Sequence, residues 1–356
     1  HAVTTMGGNT YTYDDNGNMK TRPGQTLAYN AENRLESVTT GEGTTNYTYD
    51  GDGTLVERTT PTGSTYYVSA YYEVYDGVMG EVGQVTDLTH APQTIALAHT
   101  YRNPVVFAQP LSTDGGDTAI VRITDVQPDA FTFYVAEAPN QNGSHTTETV
   151  SYLVLESGSW ELPDGTQLEV GQVWTSATVG RVAVDTWEKV ELGATFASPP
   201  VVLTQVQTEE DSDWVKTRQR HGTATSFEVA LEQADSNTQP HATECIGWLA
   251  VEPAAGDWSG HTYEAARTSN SVTHNWYTLN FGVGFSQAPR FVAALETYDG
   301  GDGAHLRYQT LTASSVQVKV EEDTTYDTEV WHTTEGIAYL ALQGTGTLSG
   351  RRVTSY

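Results

Sequence analysis

The residues with the clearest chemical potential are an aspartate and an arginine that recur three times with the same spacing. Each occurrence has a proline before an apolar strand, an aspartate 13 residues later and an arginine five residues beyond that. The pairs are Asp117 and Arg122, Asp213 and Arg218, and Asp302 and Arg307. A guanidinium group can bond two hydroxyls at once, and a nearby carboxylate adds acceptors. The pattern suits a polar ligand or, equally, a salt bridge that fixes a loop.

A second motif, His-x-Thr-Glu, follows each arginine. Its members are His145 and Glu148, His241 and Glu244, and His332 and Glu335. Residues three apart in an extended strand point to opposite faces, so the histidine and glutamate of one motif are predicted not to share a ligand. The favoured interpretation is structural, with both side chains hydrogen-bonded to neighbouring strands. We predict no metal site, because no cysteine or His-x-His spacing supports one, and no catalytic residue, because no nucleophile elbow or phosphate-binding loop is found.

Both motifs belong to an internal triplication whose members each end in an apolar strand. These strands are Val150–Leu155, Ile246–Val251 and Ile337–Leu342. The predicted domains are 1–88, a hairpin segment, then copy 1 (89–160), copy 2 (161–252) and copy 3 (253–356). Each copy has the size of a minimal antiparallel β-sandwich. The closing strands are apolar on both faces, so one face needs a cover outside its own sandwich, and a sister copy is the simplest one.

Tyrosine-rich repeats occupy the first segment. They are Tyr11–Met19, Leu27–Leu35 and Tyr47–Leu55, each a strand, a turn at Asn-Gly, Glu-Asn or Asp-Gly, and a second strand. Such turns tolerate the positive φ that tight hairpins need. The acidic turns could bind Ca²⁺, but plain turn chemistry is the favoured interpretation.

Composition limits the remaining possibilities. The 356 residues include 20 Tyr, 33 Gly and 13 Pro, a composition that predicts an all-β chain. The formal net charge of −28 repels nucleic acid and suits a salty medium. No apolar run is long enough for a membrane span, and Cys245 is the only cysteine, so no intrachain disulfide can form. No cofactor is expected, and Ca²⁺ in the acidic turns stays open as the alternative. The chain opens inside a repeat, so we interpret it as the C-terminal part of a longer precursor with an upstream export signal.

Two family resemblances extend this interpretation. The tyrosine motifs, "YTYDDNGNM" and "AENRLESVT", resemble the YD or Rhs repeats of bacterial secreted proteins and teneurins. Copy 2, from "FASPPVVLTQVQ" to "GWLAVE", resembles an H-type lectin. The second resemblance implies six-stranded antiparallel sandwiches that assemble as trimers and bind N-acetylgalactosamine or related sugars at subunit junctions. Three copies on one chain would then form a covalent pseudo-trimer.

The lectin resemblance also implies roles for particular residues. It assigns sugar binding to the arginine nine residues before a strand phenylalanine, a position that Arg122, Arg218 and Arg307 match, although the strand residue of copy 3 is Val316. The partner carboxylates would be Asp117, Asp213 and Asp302. The Trp-His pair with which these lectins stack on the sugar is missing here, so their specificity is not carried over.

Two function hypotheses follow. The first is a secreted or cell-surface, non-enzymatic carbohydrate-binding or adhesion protein, with glycans or a cell-surface polysaccharide as partner. The second is a structural subunit of an extracellular filament or sheath that self-associates through the strand edges of the repeat segment. Neither involves nucleic acid or membrane insertion.

Overall fold

Two compact units make up the chain in this computed structural model, which describes residues 2–69 and 72–355. Unit 1 contains the residues up to Val78 and those from Gly350 onward, and unit 2 is Met79–Ser349. The described residues form strands and turns without any helix, so the all-β prediction is confirmed. Accordingly, the described part offers no helix that could cross a membrane. The unit boundary at 78/79 lies before the predicted domain boundary at 88/89, which stays a prediction.

Unit 1 is built from consecutive hairpins. Its strands are β1 (Thr5–Met6), β2 (Asn9–Thr10), β3 (Thr12–Tyr13), β4 (Met19–Arg22), β5 (Gln25–Tyr29), β6 (Leu35–Thr40), β7 (Gly43–Tyr49), β8 (Leu55–Thr60), β9 (Gly63–Ser69) and the first part of β10 (Tyr72–Leu88). From β3 to β10 each strand pairs antiparallel with the next along the chain. The result is a meander of local contacts.

The turns of this meander follow the repeat. In each one, the residue after the strand tyrosine accepts backbone N–H bonds from residues two and four positions ahead. These acceptors are Asp14, Asn30 and Asp50. Positive φ occurs at Gly17, Asn33 and Gly53 (86°, 60° and 85°), as Asn-Gly and Asp-Gly turns require. The polar residues of the repeat therefore close their own hairpins.

Unit 2 contains the three sequence copies. Its strands are the second part of β10, β11 (Gln93–Ala96), β12 (Pro104–Phe107), β13 (Ala119–Gln127), β14 (Ala130–Glu137), β15 (Glu148–Glu156), β16 (Gly158–Glu161), β17 (Gln167–Thr175), β18 (Thr178–Val179), β19 (Glu188–Glu191), β20 (Val201–Val206), β21 (Val215–Arg220), β22 (Ser226–Gln233), β23 (Glu244–Val251), β24 (Ala254–Trp258), β25 (His261–Arg267), β26 (Tyr277–Asn280), β27 (Arg290–Leu295), β28 (Ala304–Gln309), β29 (Ser315–Glu322), β30 (Ile337–Leu342) and the start of β31 (Gly346–Ser355).

The same strand scheme recurs in each copy. The arginine strand pairs with the following strand in one sheet, and the closing strand pairs with the proline-led strand in another. The arginine sheets are β11-β14-β13, β18 and β19 with β22-β21, and β26-β29-β28. The closing-strand pairs are β15 with β12, β23 with β20, and β30 with β27. All these pairings are antiparallel except that of the two-residue β18, which runs parallel to β22.

Apolar packing joins the two sheets of a copy. In copy 2, Phe227 of β22 packs edge-on against Trp248 of β23, with ring centroids 5.8 Å apart. Copy 3 has an equivalent core around Phe291 and Tyr339. Every residue of β23 and β30 is buried, as the doubly apolar pattern predicted.

Sister copies cover the second face of these sheets. The side chain of Gln207 in copy 2 exchanges two hydrogen bonds with the backbone of Val106 in copy 1, both 2.8 Å long. The backbone N–H of Ala293 in copy 3 donates to the carbonyl of Gln109 in copy 1 at 3.0 Å. Because these atoms are buried, each bond satisfies polar groups that would otherwise be costly to desolvate.

Candidate functional site

The two recurrent motifs meet across copies. Each arginine donates to the glutamate of the His-x-Thr-Glu motif in a different copy, at 2.7 or 2.8 Å. The pairs are Arg122 with Glu244, Arg218 with Glu335, and Arg307 with Glu148. They lead from copy 1 to copy 2, from copy 2 to copy 3 and from copy 3 back to copy 1, and all six side chains are at most 2% exposed. Three buried ion pairs thus close a cycle between the copies.

Each of these glutamates also accepts a hydrogen bond from a hydroxyl group of its own copy. The donors to Glu148, Glu244 and Glu335 are Ser112, Thr208 and Thr297. The hydroxyl residue stands five positions before the predicted aspartate in every copy. Sequence reasoning missed these three residues, although their fixed place in the triplication was a usable signal.

The arginines differ in their remaining contacts. Arg218 and Arg307 each bind a second glutamate 14 residues further on, Glu232 at 2.9 Å and Glu321 at 3.0 Å. The corresponding residue in copy 1 is Ala136. As a consequence, Nη1 of Arg122 is buried without a hydrogen-bond partner among the described residues.

The predicted aspartate–arginine pairing is not formed between side chains in the described part of the chain. Asp117 lies 3.4 Å from the Asn142 amide, and Asp213 accepts from Asn237 at 2.7 Å. Asp302 pairs with Arg181 on the surface at 2.7 Å. The arginines instead point into the junctions, where a buried guanidinium needs a carboxylate for compensation. Sugar binding by the three Asp–Arg pairs stays a prediction, without the geometry it assumed.

The expectation that the histidine and glutamate of one motif face apart is wrong for copies 1 and 3. His145 Nε2 lies 2.9 Å from Glu148, and His332 Nε2 lies 3.1 Å from Glu335. The strands begin only at or after the glutamate, so the three preceding residues lie outside the strand, and the two side chains converge. These residues therefore form one hydrogen-bonded unit.

Each of these two histidines also binds a second carboxylate through Nδ1. The partner is Glu137 at 3.0 Å for His145 and Glu322 at 2.8 Å for His332. Burial lowers the pKa of His332, but the bonds to Glu322 and Glu335 outweigh it and raise that pKa to about 9. The pKa of His145 is raised for the same reasons. Each imidazolium therefore bridges two carboxylates in the interior.

Glycines make room for these rings, which gives a testable prediction. A Cβ at Gly300 would lie 2.4 Å from Cε1 of His332, whose ring is held on both sides. We expect Gly300→Ala to lower the free energy of unfolding by about 1–3 kcal/mol through overpacking, measured by denaturant titration. Gly301→Ala is the matched control, because its Cβ would meet no atom within 4 Å. Equal stability of the two variants would contradict the prediction.

An open cleft lies where copies 1 and 2 meet. Its volume is about 420 Å³, and its lining includes Arg122, Tyr134, Glu137, Asp213 and Trp214. The Tyr134 hydroxyl donates to Glu209 at 2.9 Å, and the Trp214 indole donates to the carbonyl of Ala136 at 2.9 Å. The cleft combines donors, carboxylate acceptors and aromatic surface, which is the functional-group mixture that polar, hydroxyl-rich ligands use.

Comparisons with known proteins bear on both units. Residues 29–65 match the family model for the RHS repeat, which confirms that part of the repeat resemblance. The chain is also 32% identical over 291 residues to halomucin from Haloquadratum walsbyi. That match covers 78% of this chain and 3% of halomucin, so the chain spans only a small fraction of its relative. No solved structure matches the chain.

Together these two similarities indicate a cell-surface or extracellular protein. They point to a structural or surface role. Neither of these two matches is to a lectin family.

Proposed function

We propose that this chain is a carbohydrate-binding part of a cell-surface or extracellular protein, and that sugar enters the cleft between copies 1 and 2. The observation that carries the proposal is the free Nη1 of Arg122, the one terminal guanidinium nitrogen of the three recurrent arginines without a hydrogen bond inside the described structure. A buried donor that lacks a partner costs free energy. Arg122 belongs to the lining of the cleft, so a small shift of the covering side chains would let a ligand hydroxyl satisfy Nη1.

The surroundings support this role. Asp213 offers a carboxylate and Tyr134 offers a phenol, so the cleft can accept as well as donate hydrogen bonds. A neutral polyol fits better than an anion, because Glu244 already neutralises Arg122 and further carboxylates lie nearby. At the other two junctions, Glu232 and Glu321 take the place that a ligand would need. One site per chain is expected.

A pseudo-trimeric arrangement of the copies is part of the proposal. Its first support is the cycle of Arg–Glu pairs. Its second is a small cavity of about 30 Å³ that strands from all three copies line. Ile120, Lys216 and His305, each two residues before its arginine, are among the lining residues. Equivalent positions of the three copies therefore meet at one place.

The site can be tested by giving copy 1 a residue that copies 2 and 3 already have. Ala136→Glu would give copy 1 the glutamate that copies 2 and 3 carry and so saturate Arg122. We expect glycan-array binding by the wild type and its loss in Ala136→Glu, with a melting temperature no lower than that of the wild type, because the new carboxylate satisfies a buried donor. Ala255→Glu, on an exposed position of copy 3, adds the same charge elsewhere and should bind normally. A blank array for the wild type, or equal binding by both variants, would overturn the proposal.

A structural role is the second candidate, and the edge of the hairpin sheet favours it. Strand β3 is the last strand of that sheet and pairs with β4 alone among the described strands. Its outer backbone groups could accept a strand from another chain. Light scattering and negative-stain microscopy, with and without Ca²⁺, should then show filaments that Thr12→Pro abolishes. A monomer at high concentration under all conditions would exclude this role.

A further inference from the structure

The His-x-Thr-Glu motif of copy 2 differs from the other two in its surroundings. Asp211 stands at the position of Gly115 and Gly300, the glycines that make room for the rings of copies 1 and 3. Gln233 stands at the position of Glu137 and Glu322, which bind Nδ1 in those copies. Copy 2 has thus gained a carboxylate on one side of its histidine and lost one on the other.

The imidazole of His241 makes different contacts from those of His145 and His332. Its Nδ1 lies 2.9 Å from the carbonyl oxygen of Ala242, an acceptor that requires a proton on Nδ1. Its Nε2 is buried and makes no hydrogen bond to any described residue. The nearest carboxylate oxygen, Oδ1 of Asp211, is 3.3 Å away but poorly aligned for such a bond. In the neutral imidazole the lone pair is therefore on Nε2, 3.3 Å from the Asp211 carboxylate.

We propose that Asp211, His241 and Glu244 form a binding site for a divalent transition-metal ion of the zinc class. One ligand atom from each of the three lies within 4.8 Å of the others. Tetrahedral Zn²⁺ holds nitrogen and oxygen ligands at about 2.0–2.2 Å, so the atoms must draw together by about 1 Å. Oδ1 of Asp211 and Nε2 of His241 already lie 3.3 Å apart, close to the spacing of two ligands around one tetrahedral ion, so the remaining approach is that of the Glu244 carboxylate.

The ligand atoms indicate which metal ion the site would bind. Imidazole suits Zn²⁺ and its first-row neighbours, whereas Ca²⁺ and Mg²⁺ prefer oxygen ligands alone. The hydrogen bond from Nδ1 to a backbone carbonyl fixes the tautomer that leaves Nε2 available to the ion. Histidines that bind metal ions commonly make such a second contact. Three protein ligands leave a fourth position for water.

Charge balance distinguishes this site from its two sister motifs. In copies 1 and 3 an imidazolium compensates the carboxylates on both of its sides. In copy 2 the acidic pair Asp211 and Glu244 faces one cation, Arg122, which bonds Glu244 at 2.8 Å. A bound metal supplies the positive charge that a neutral His241 does not. The competing state is a protonated His241 that pairs with Asp211.

The experiment titrates metal-free protein with Co²⁺, a spectroscopic substitute for Zn²⁺, in the presence of excess Ca²⁺ to block the acidic surface. We expect one Co²⁺ per chain with visible d–d absorption, displacement by Zn²⁺, and a higher melting temperature with the metal. His241→Gln should lose all three effects. Glu329→Gln, in a separate cluster of carboxylates, should keep them.

A second variant guards against a folding defect. Asp211→Gly combined with Gln233→Glu gives copy 2 the side chains of copies 1 and 3, so it should fold without binding Co²⁺. Absence of stoichiometric binding by the wild type, or its persistence in both His241→Gln and the double variant, would overturn the proposal and leave the protonated ion pair. Neither result bears on the glycan proposal, which depends on Nη1 of Arg122 and is tested by Ala136→Glu.

Discussion

Replacement of Arg218 by methionine is expected to lower the free energy of unfolding by about 3–5 kcal/mol, the usual cost of removing one partner from a buried ion pair. The guanidinium group is fully buried and donates to Glu232 at 2.9 Å and to Glu335 at 2.7 Å. Methionine fills similar space but removes the guanidinium that both carboxylates bind, which leaves Glu232 with Lys216 alone and Glu335 with His332 alone as cationic partners. Denaturant titration followed by tryptophan fluorescence measures the change, and a loss comparable to that of a surface pair would contradict it.

Two further variants isolate the cause. Lys189→Met breaks an ion pair with Glu191 in the same copy, but both of those side chains are more than half exposed, so little change is expected. Adding Glu232→Gln and Glu335→Gln to Arg218→Met removes the uncompensated charges and should recover part of the stability. If the triple variant is no more stable than Arg218→Met, packing rather than charge accounts for the loss.

Alkaline pH should destabilise the protein through His332. Its pKa rises from the ordinary 6.5 to about 9 in the folded state, because the bonds to Glu322 and Glu335 outweigh burial. The folded state binds the proton more tightly, so the stabilisation is complete below pH 6.5 and is lost as the pH rises through 9. The linkage corresponds to on the order of 3 kcal/mol, and His145 contributes in the same direction.

The measurement is the free energy of unfolding between pH 6 and 10 for three proteins. The wild type should lose stability across this range, and His332→Gln should be less stable at pH 6 but show a shallower decline. His221→Gln removes a histidine whose side chain is 68% exposed and should follow the wild-type curve. A slope unchanged in His332→Gln would show that this imidazolium does not supply the effect.

Local sequence signals determined the secondary structure and much of the core. The Asn-Gly and Asp-Gly turns predicted the hairpins of unit 1, because positive φ at Gly17 and Gly53 is a local requirement. Alternation and apolar runs predicted the strands of unit 2, including the fully buried β23 and β30. The triplication also marked all six residues of the Arg–Glu cycle, since each recurs at a fixed place in its copy.

What those six residues do was decided by tertiary structure alone. Arg122 and Glu244 are 122 residues apart, and no local pattern indicates which copy supplies the partner of a buried charge. Residues 145–147 lie outside the strand that begins at Glu148, and His145 contacts Glu148, against the strand geometry assumed for three-residue spacing. The free atoms of Arg122 and His241 likewise follow from Ala136, Asp211 and Gln233. Each copy's strands could be predicted because apolar patterning and turn residues are local properties of the sequence, whereas charge compensation in the interior depends on which copies meet.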